Sequence, residues 1–377
     1  MLEPIVYNRI RASRISGRYL TNEVLSPELD LLGPKFEQKE IGRSSLDKSI
    51  RLIKIGTGPI KILAWSQMHG NESTTTKAVL DYLHFLQASS PEADTILRTV
   101  TLYIIPILNP DGAAAYTRVN ANGVDLNRDA KELKEVESRI LRDTFLKIDP
   151  DYCFNLHDQR SIFSAGDTNS PATLSFLAPS IDSQRSINSI RETAMQIIAA
   201  IHQDLQTSLP GRIGRYDDSY NPNCTGDQFQ QLVPTILFEA GHAPGDYQRE
   251  QTRYYAFLAI SAAVNHIVNN TYKKQQTTDY FSIPQNQKNF VDVLLKNVLL
   301  DDRILDIAIY FEEELKGGQV HFIPKITSIG ENLQLFGHQQ VDGKGKKVQI
   351  NGRNQVAEND LVHSIVLNGE NLSFKIE

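Results

Sequence analysis

The sequence predicts an α/β fold: a mixed, mainly parallel sheet with helices on both faces, followed by a small, mostly β C-terminal domain. Three observations carry this expectation. Short apolar strands alternate with helix-length stretches between Arg51 and Val268. VTLYIIPIL, at 100–108, is a near-continuous apolar run, as in a strand buried on both faces of a parallel sheet. Beyond residue 280, short alternating segments are broken by GG at 317–318, DGKG at 342–345 and NG at 351–352 and 368–369, and Asn-Gly between alternating runs signals a hairpin.

In chain order, residues 1–50 read as helical and polar, with the basic stretch Arg9 to Arg18 as a solvated surface. IRLIKIG is a strand, Gly56 to Pro59 a turn, and KILAWSQM a second strand. Thr74 to Gln87 is an amphipathic helix with Val79, Leu80, Leu83 and Leu86 near one face. Lys131 to Lys147 is helical, with Asp129 as a capping residue before it. DYCFNL is a short strand, Ile187 to Gln206 a long helix, TILFE a buried strand, and Arg249 to Val268 a helix. Residues 269–279, NNTYKKQQTTD, read as a linker, and Asn286 to Leu299 as an amphipathic helix. The domains expected are therefore 1–275 and 280–377.

Composition narrows the function. Lys+Arg is 39 against 45 for Asp+Glu, a net charge of -6, so nucleic acid is not an expected partner. No apolar run approaches the ~20 residues that span a bilayer, so no membrane partner is expected. Cys153 and Cys224 are the only cysteines, which excludes a disulfide framework and leaves a single bridge undemanded. The start, MLEPIVYNRIRASRISGRYL, lacks a signal-peptide core; if Met1 is native, a cytoplasmic location is expected.

Ligands of open α/β sheets bind beyond the carboxyl ends of the strands. His69, Glu72, His157 and Glu239 all fall at such ends. A lone histidine is ordinarily a surface or core residue with satisfied hydrogen bonds, and an isolated HxxE string says little. Here His69 and Glu72 are three apart in a tight turn, and His157 arrives from another strand. Two His and one Glu leave a fourth tetrahedral position open, as catalytic zinc requires. Glu239 in an apolar strand also asks for a reason, because a buried unpaired carboxylate is costly.

HGNE, NPDG at 109–112, YTRVNANGVDLNRD at 116–129, NLHDQ and FEAG occur in order at suitable distances. Together they resemble the metallocarboxypeptidases, the carboxypeptidase A-like zinc peptidases, over roughly residues 40–270. The resemblance implies one Zn2+ per chain on His69, Glu72 and His157. It implies Glu239 as the catalytic glutamate and Arg118 as the arginine facing the oxyanion. Asn127 and Arg128 match the pair that holds a free C-terminal carboxylate, and Asp125 the carboxylate that orients the first zinc histidine. Tyr220, rather than Tyr216, matches the mobile tyrosine, and Asp227 is a candidate base for the side-chain pocket. Asp111 and Gly112 read as a turn alone. The implied partner is a peptide with a free C-terminal carboxylate.

A second reading within the same fold is an amidohydrolase resembling the succinylglutamate desuccinylase and aspartoacylase group. Those enzymes share the HGNE and DLNR strings and a β-rich appendage, but NPDG and the long interval from His157 to Glu239 favour the peptidase. A non-catalytic binding module is the third reading; the presence of every ligand and of Glu239 argues against it. His321, His338 and His363 lack ligand spacing. The sequence carries no signal for residue preference or oligomeric state.

Overall fold

Alternating apolar side chains on consecutive strands explain how the sheet is covered twice. The computed structural model describes residues 4–374. Its first strands are β1 (Glu37–Arg43), β2 (Ser49–Ile55), β3 (Ile60–Ser66), β4 (Val100–Ile105), β5 (Tyr152–Asp158), β6 (Phe163–Ala165), β7 (Leu174–Leu177), β8 (Ile213–Arg215) and β9 (Thr235–Ala240). All but β6 form one 8-stranded sheet, ordered β1-β2-β4-β3-β5-β9-β7-β8. The central pairs β4–β3, β3–β5 and β5–β9 are parallel.

On β3 and β5, Ile62, Ala64, Phe154 and Leu156 point into a large core shared with the helices Thr74–Gln87, Ser189–Leu205 and Glu250–Asn269. Leu63, Trp65 and Cys153 point the other way, onto Leu141 and Phe145 of the helix Val136–Ile148. A period of two with both phases apolar is what a strand between two helical layers needs. The mainly parallel sheet with helices on both faces is as the sequence predicts. Helix Glu250–Asn269 carries Ala256, Ala259, Ala262 and Ala263 in this core, small residues that let it approach closely. Among the described residues, no helix is long and apolar enough to cross a membrane.

Several expectations fail. Residues 1–50 are only partly helical: the helices are Pro4–Ile10 and Asn22–Leu29, followed by β1. The stretch Arg9 to Arg18 is not simply a solvated face, because Arg18 is 6% exposed and pairs with Glu313 at 2.9 Å. Nearby, Tyr7, Ala12 and Arg253 converge on Asp81, which is wholly buried and accepts from Tyr7 Oη, Ala12 N, and Arg253 Nε and Nη2 at 2.6–2.8 Å. The linker expected at 269–279 is structured, with a 3-10 turn at Thr271–Lys274 and a helix at Thr277–Ser282, and Tyr272 and Tyr280 are buried in the main core. The helix after Asp129 begins only at Val136; Asp129 instead accepts from the Lys134 and Glu135 amides.

The helix expected at Asn286 to Leu299 is also absent. That segment is β10 (Asn286–Lys288) and β11 (Phe290–Leu300). They are followed by β12 (Arg303–Lys316), β13 (Gln319–Gly330), β14 (Phe336–Asp342), β15 (Val348–Ile350), β16 (Ile365–Leu367) and β17 (Glu370–Leu372). A bulge explains the false helical period. Leu295 pairs with Ile307 and Val298 with Leu305, so two residues of β11 face one of β12, with Asn297 at φ 51°. Val293, Leu295, Val298 and Leu300 therefore share one core, mimicking helical spacing on a strand.

The later strands form a 4-stranded sheet, ordered β13-β12-β11-β14, and a 3-stranded sheet of β15, β16 and β17. Their apolar cluster includes Tyr247 from the earlier region, whose hydroxyl donates to Asp292 at 3.0 Å. Strand β10 pairs with β6, with Lys288 opposite Phe163. The mostly β texture predicted after residue 280 is what the structure shows.

Candidate metal centre and cleft

Three parallel strands end side by side on the same edge. β5 lies between β3 and β9, and His157 and Glu239 are direct partners across the β5–β9 pair. The turn after β3 carries His69 and Glu72. It is held by Gln67, whose amide donates to Leu20 O at 3.0 Å and Gly70 O at 2.9 Å, and whose φ of 44° is strained for a side-chain-bearing residue. Gly70 admits no side chain, since a Cβ there would lie 1.9 Å from the carbonyl carbon of Gly112. Asp111 and Gly112 are thus more than a turn. Gly112 packs on the metal loop, and buried Asp111 accepts from the Ser44 hydroxyl and the Leu46 amide.

The side chains of His69, Glu72 and His157 converge. His69 Nδ1 is 2.8 Å from Glu72 Oε1, His157 Nδ1 is 2.9 Å from Glu72 Oε2, and the two Nδ1 atoms are 3.1 Å apart. Among the described residues they form the metal-type group, with ligand atoms all within 4.8 Å of one another. Ligands at ~2.0–2.1 Å from a tetrahedral zinc stand ~3.3 Å apart, close to the spacing of the two nitrogens. Two imidazole nitrogens facing each other beside a carboxylate present lone pairs that a cation between them would satisfy. The donor set therefore fits a zinc ion.

The surrounding groups fix these donors. His69 Nε2 donates to Asp125 Oδ1 at 2.9 Å, which sets the tautomer and aims Nδ1 at the cluster. Asp125 Oδ1 also accepts from the Asn127 amide at 2.9 Å, and Oδ2 from Arg118 Nε at 3.1 Å. Arg118 Nη1 reaches Glu72 Oε1 at 3.1 Å. Burial pushes the Glu72 carboxyl up, but a positive His69 and hydrogen bonds from Nδ1–H of both imidazoles outweigh it and hold Glu72 well below the usual range; a zinc ion would take the place of those ring protons. Asp125 is likewise held low: burial raises it, while His69 and Arg118 prevail.

Asp158, within NLHDQ, has a role that the sequence does not announce. Its carboxylate accepts from the Thr74 and Thr75 amides at 2.7 and 3.1 Å, capping the helix that follows the metal turn, while its own amide donates to Glu72. A carboxylate at a helix N-terminus is stabilising, so Asp158 locks β5 to the loop that carries Glu72. A polar residue beside a ligand at a strand end was the only available signal.

Glu239 Oε2 is sealed from solvent and has no partner. Burial pushes its carboxyl well above the ordinary range, and the charges of Glu72 and Asp158 add to this. A carboxyl so placed holds a proton readily, as a proton shuttle must.

The cleft over this cluster has a volume of about 1010 Å³ and is lined by His69, Glu72, Arg118, Asn127, Arg128, His157, Tyr220 and Glu239, with Asp125 behind its wall, bonded to His69 and Arg118. Asn127 Oδ1 accepts from the Thr225 amide at 3.1 Å, and Arg128 Nη1 lies 3.1 Å from Cys224 Sγ, so both are tied to the 224–227 segment. Asp227 lines the cleft, with its carboxyl pushed up to about 7 by burial. Tyr220 Oη accepts only a long bond from Gln231, at 3.4 Å. Tyr216 also lines the cleft and is raised well above the ordinary tyrosine value by burial, with Glu239 adding to it.

Sequence reasoning missed the far wall of the cleft: Arg18, Arg160, Lys288, Tyr310, Glu312 and Glu313. Apart from Arg160, three residues after His157, their proximity depends on pairing between distant segments, which no local pattern reports. His338, which is not part of the metal group, donates to Ser161 O at 2.8 Å, stacks on Phe290 and packs against His242.

Comparison with known proteins follows the same lines. Residues 33–202 match the zinc carboxypeptidase family. Carboxypeptidase 2 of Trichophyton rubrum is 31% identical over 108 residues, covering 28% of this chain and 19% of that protein. The chain's match spans about a fifth of the length of such curated relatives. Among solved structures, a metallo-carboxypeptidase from Burkholderia cenocepacia aligns with a TM-score of 0.53 and 19% identity, over 67% of this chain and 70% of that one. Carboxypeptidase A from Helicoverpa armigera aligns at 0.51 with 16% identity, over 70% and 80%. At these identities the structural likenesses bear on the fold alone.

Proposed function

From the premise that residues 33–202 are a zinc carboxypeptidase domain, we propose that this protein removes the C-terminal residue of a peptide. The observation that carries this reading is the convergence of His69 Nδ1, Glu72 and His157 Nδ1 beside an unpartnered Glu239, at the ends of neighbouring parallel strands. One zinc ion would be held by His69, Glu72 and His157. When bound, zinc polarises the scissile carbonyl and makes water more acidic.

The remaining steps belong to the chain. Glu239 takes a proton from the attacking water and returns it to the leaving amine. Its raised affinity for protons suits the second half of that transfer. Arg118 sits beside Glu72 and offers its guanidinium to charge that develops on the carbonyl oxygen. Arg128 presents a planar fork and Asn127 an amide to the terminal carboxylate. Tyr220, with only one long hydrogen bond, is free to move over the bound residue. Asp227 would favour a basic terminal side chain as pH rises past about 7, where its carboxyl ionises. Residues 1–275 act as the catalytic unit and 280–377 as an accessory unit, supported by the separate apolar cluster of the later strands. The match to zinc carboxypeptidases supports the peptidase over the deacylase reading.

The test compares peptides with free and amidated C-termini. Loss of a charge-assisted bidentate contact should lower kcat/KM by about 30- to 1000-fold. Arg128→Ala should lower activity similarly on the free acid and little further on the amide, because both changes delete one contact. Glu239→Gln should keep zinc and lose turnover by about three orders of magnitude or more. Equal hydrolysis of acid and amide overturns the carboxypeptidase reading, and exclusive hydrolysis of short N-acyl amino acids replaces it with the deacylase.

A further inference from the structure

The C-terminal strands do more than pack behind the catalytic region, because they wall part of the cleft. Lys288 of β10 and Tyr310, Glu312 and Glu313 of β12 line the same space as the metal group. Two chain paths leave that group. One runs through Asp125 to Arg128 and Cys224, where the terminal carboxylate is proposed to bind. The other runs along the end of β5 from His157 to Arg160. If the terminal residue fills the first branch, the rest of the peptide must leave along the second.

The charges along that second branch are unevenly compensated. Glu313 is neutralised by Arg18 at 2.9 Å and also accepts from the Tyr116 hydroxyl. Glu312 is drawn to Lys325 at 3.5 Å. Asp217 pairs with Arg185 at 3.3 Å. Arg160 and Lys288, by contrast, are exposed and have no carboxylate partner among the described residues. The Arg160 guanidinium sits over the Tyr310 ring, 6.0 Å from its centroid, which holds it toward the cleft. Lys288 is fixed on the same side by the β10–β6 pairing, opposite Phe163, itself a cleft residue.

The geometry points to a subsite on the acyl side of the scissile bond, in which Arg160 and Lys288 select an acidic side chain of the substrate peptide. The inference rests on the carboxypeptidase reading for its orientation. It assigns the accessory strands a direct part in choosing substrate. Two solvent-exposed cations confer selectivity rather than large affinity, and one that salt weakens.

The experiment uses the full chain loaded with zinc and N-acetylated peptides sharing one C-terminal residue. Glu, Ala or Lys is placed at the penultimate or the preceding position. The expected result is a kcat/KM about 3- to 20-fold higher for Glu than for Ala at one of these positions, shrinking as salt rises. In the Arg160→Gln/Lys288→Gln double variant the Glu:Ala ratio should fall to about one. Equal rates for Glu and Ala, or a preference for Lys, overturn the subsite. Running one neutral peptide as acid and amide keeps the two readings apart: discrimination there, with no preference upstream, removes the subsite alone. If no peptide is hydrolysed, calorimetric binding of the same peptides to the Glu239→Gln protein decides, and equal affinity for Glu and Ala peptides overturns the subsite.

Discussion

Replacing Asp125 isolates the contribution of a residue that never needs to touch zinc. The carboxylate receives three donors: His69 Nε2 and the Asn127 amide at 2.9 Å, and Arg118 Nε at 3.1 Å. It is 22% exposed, so these bonds are partly shielded from water. Asp125→Ala frees the His69 ring to rotate, leaves Nε2 without its acceptor and loosens Arg118. A hydrogen bond to a charged group contributes about 1.5–3 kcal/mol. Comparable outer-shell deletions weaken metal binding by about 10- to 100-fold, or about 1.4–2.7 kcal/mol. The two ranges agree, so Asp125→Ala should weaken zinc binding within that window. Asp125→Asn keeps a neutral acceptor for His69 but loses the charge that Arg118 needs, and should weaken binding by about 3- to 10-fold. Competition with a chromogenic chelator near neutral pH measures both, with circular dichroism to confirm the fold. Zinc affinity of Asp125→Ala within about twofold of the parent would refute the argument that this carboxylate aims His69 at the metal.

Three other outcomes follow from the packing. Gly70→Ala drives a Cβ into the backbone of Gly112, so the metal turn must move; zinc retention after dialysis should collapse, with a loss of about 3 kcal/mol or more in denaturant titrations. Asp81→Ala leaves the buried Arg253 guanidinium with Glu250 as its carboxylate partner and should cost about 3 kcal/mol; with ~2.1 cal/mol/K per residue over 377 residues that is a fall of about 4 °C in Tm, accompanied by early protease cleavage before Thr21. For His338, burial lowers the imidazole from 6.5 to about 4. The folded state then binds fewer protons than the unfolded chain between those values, so the stabilisation is complete above pH 6.5, declines as pH falls and is gone near pH 4. His338→Phe should remove up to about 3 kcal/mol of that acid-side decline. Asp292, raised to about 6 by burial, slopes the other way in parent and variant alike. Parallel pH profiles of the two proteins would remove His338 from the account.

How much of this was legible in the sequence differs by element. VTLYIIPIL reads directly as a strand, formed over Val100–Ile105, because both its faces are buried and local composition suffices. The metal group is legible because His69 and Glu72 share one turn and His157 and Glu239 each sit at the end of an apolar strand, so the chemistry sits where the pattern changes. The segment Phe290–Leu300 misleads because a bulge at Asn297 gives a strand the spacing of a helix. Arg18 misleads for another reason. Its carboxylate partner lies 295 positions away, and a burial that depends on so distant a residue leaves no local trace. The cleft wall was hidden for the same reason.

The guanidinium of Arg18 also bears on the order in which the cleft is completed. It reaches Tyr247 O from one side and Glu313 from the other, and so joins three regions of the chain. All three proposed zinc ligands and Glu239 are synthesised before any residue of β12. From Glu239 to Tyr310 is 71 positions, about 4–14 s of translation at ~5–20 residues per second. During that interval a nascent chain carries every group of the proposed catalytic set but no β12 wall along the cleft. Arg18 waits for its carboxylate partner, and the β6 edge for β10, until the later strands arrive. On the proposed reading, the finished wall makes substrate selection one of the last properties the ribosome confers, and a chain interrupted after Val268 would hold the metal group without a peptide track.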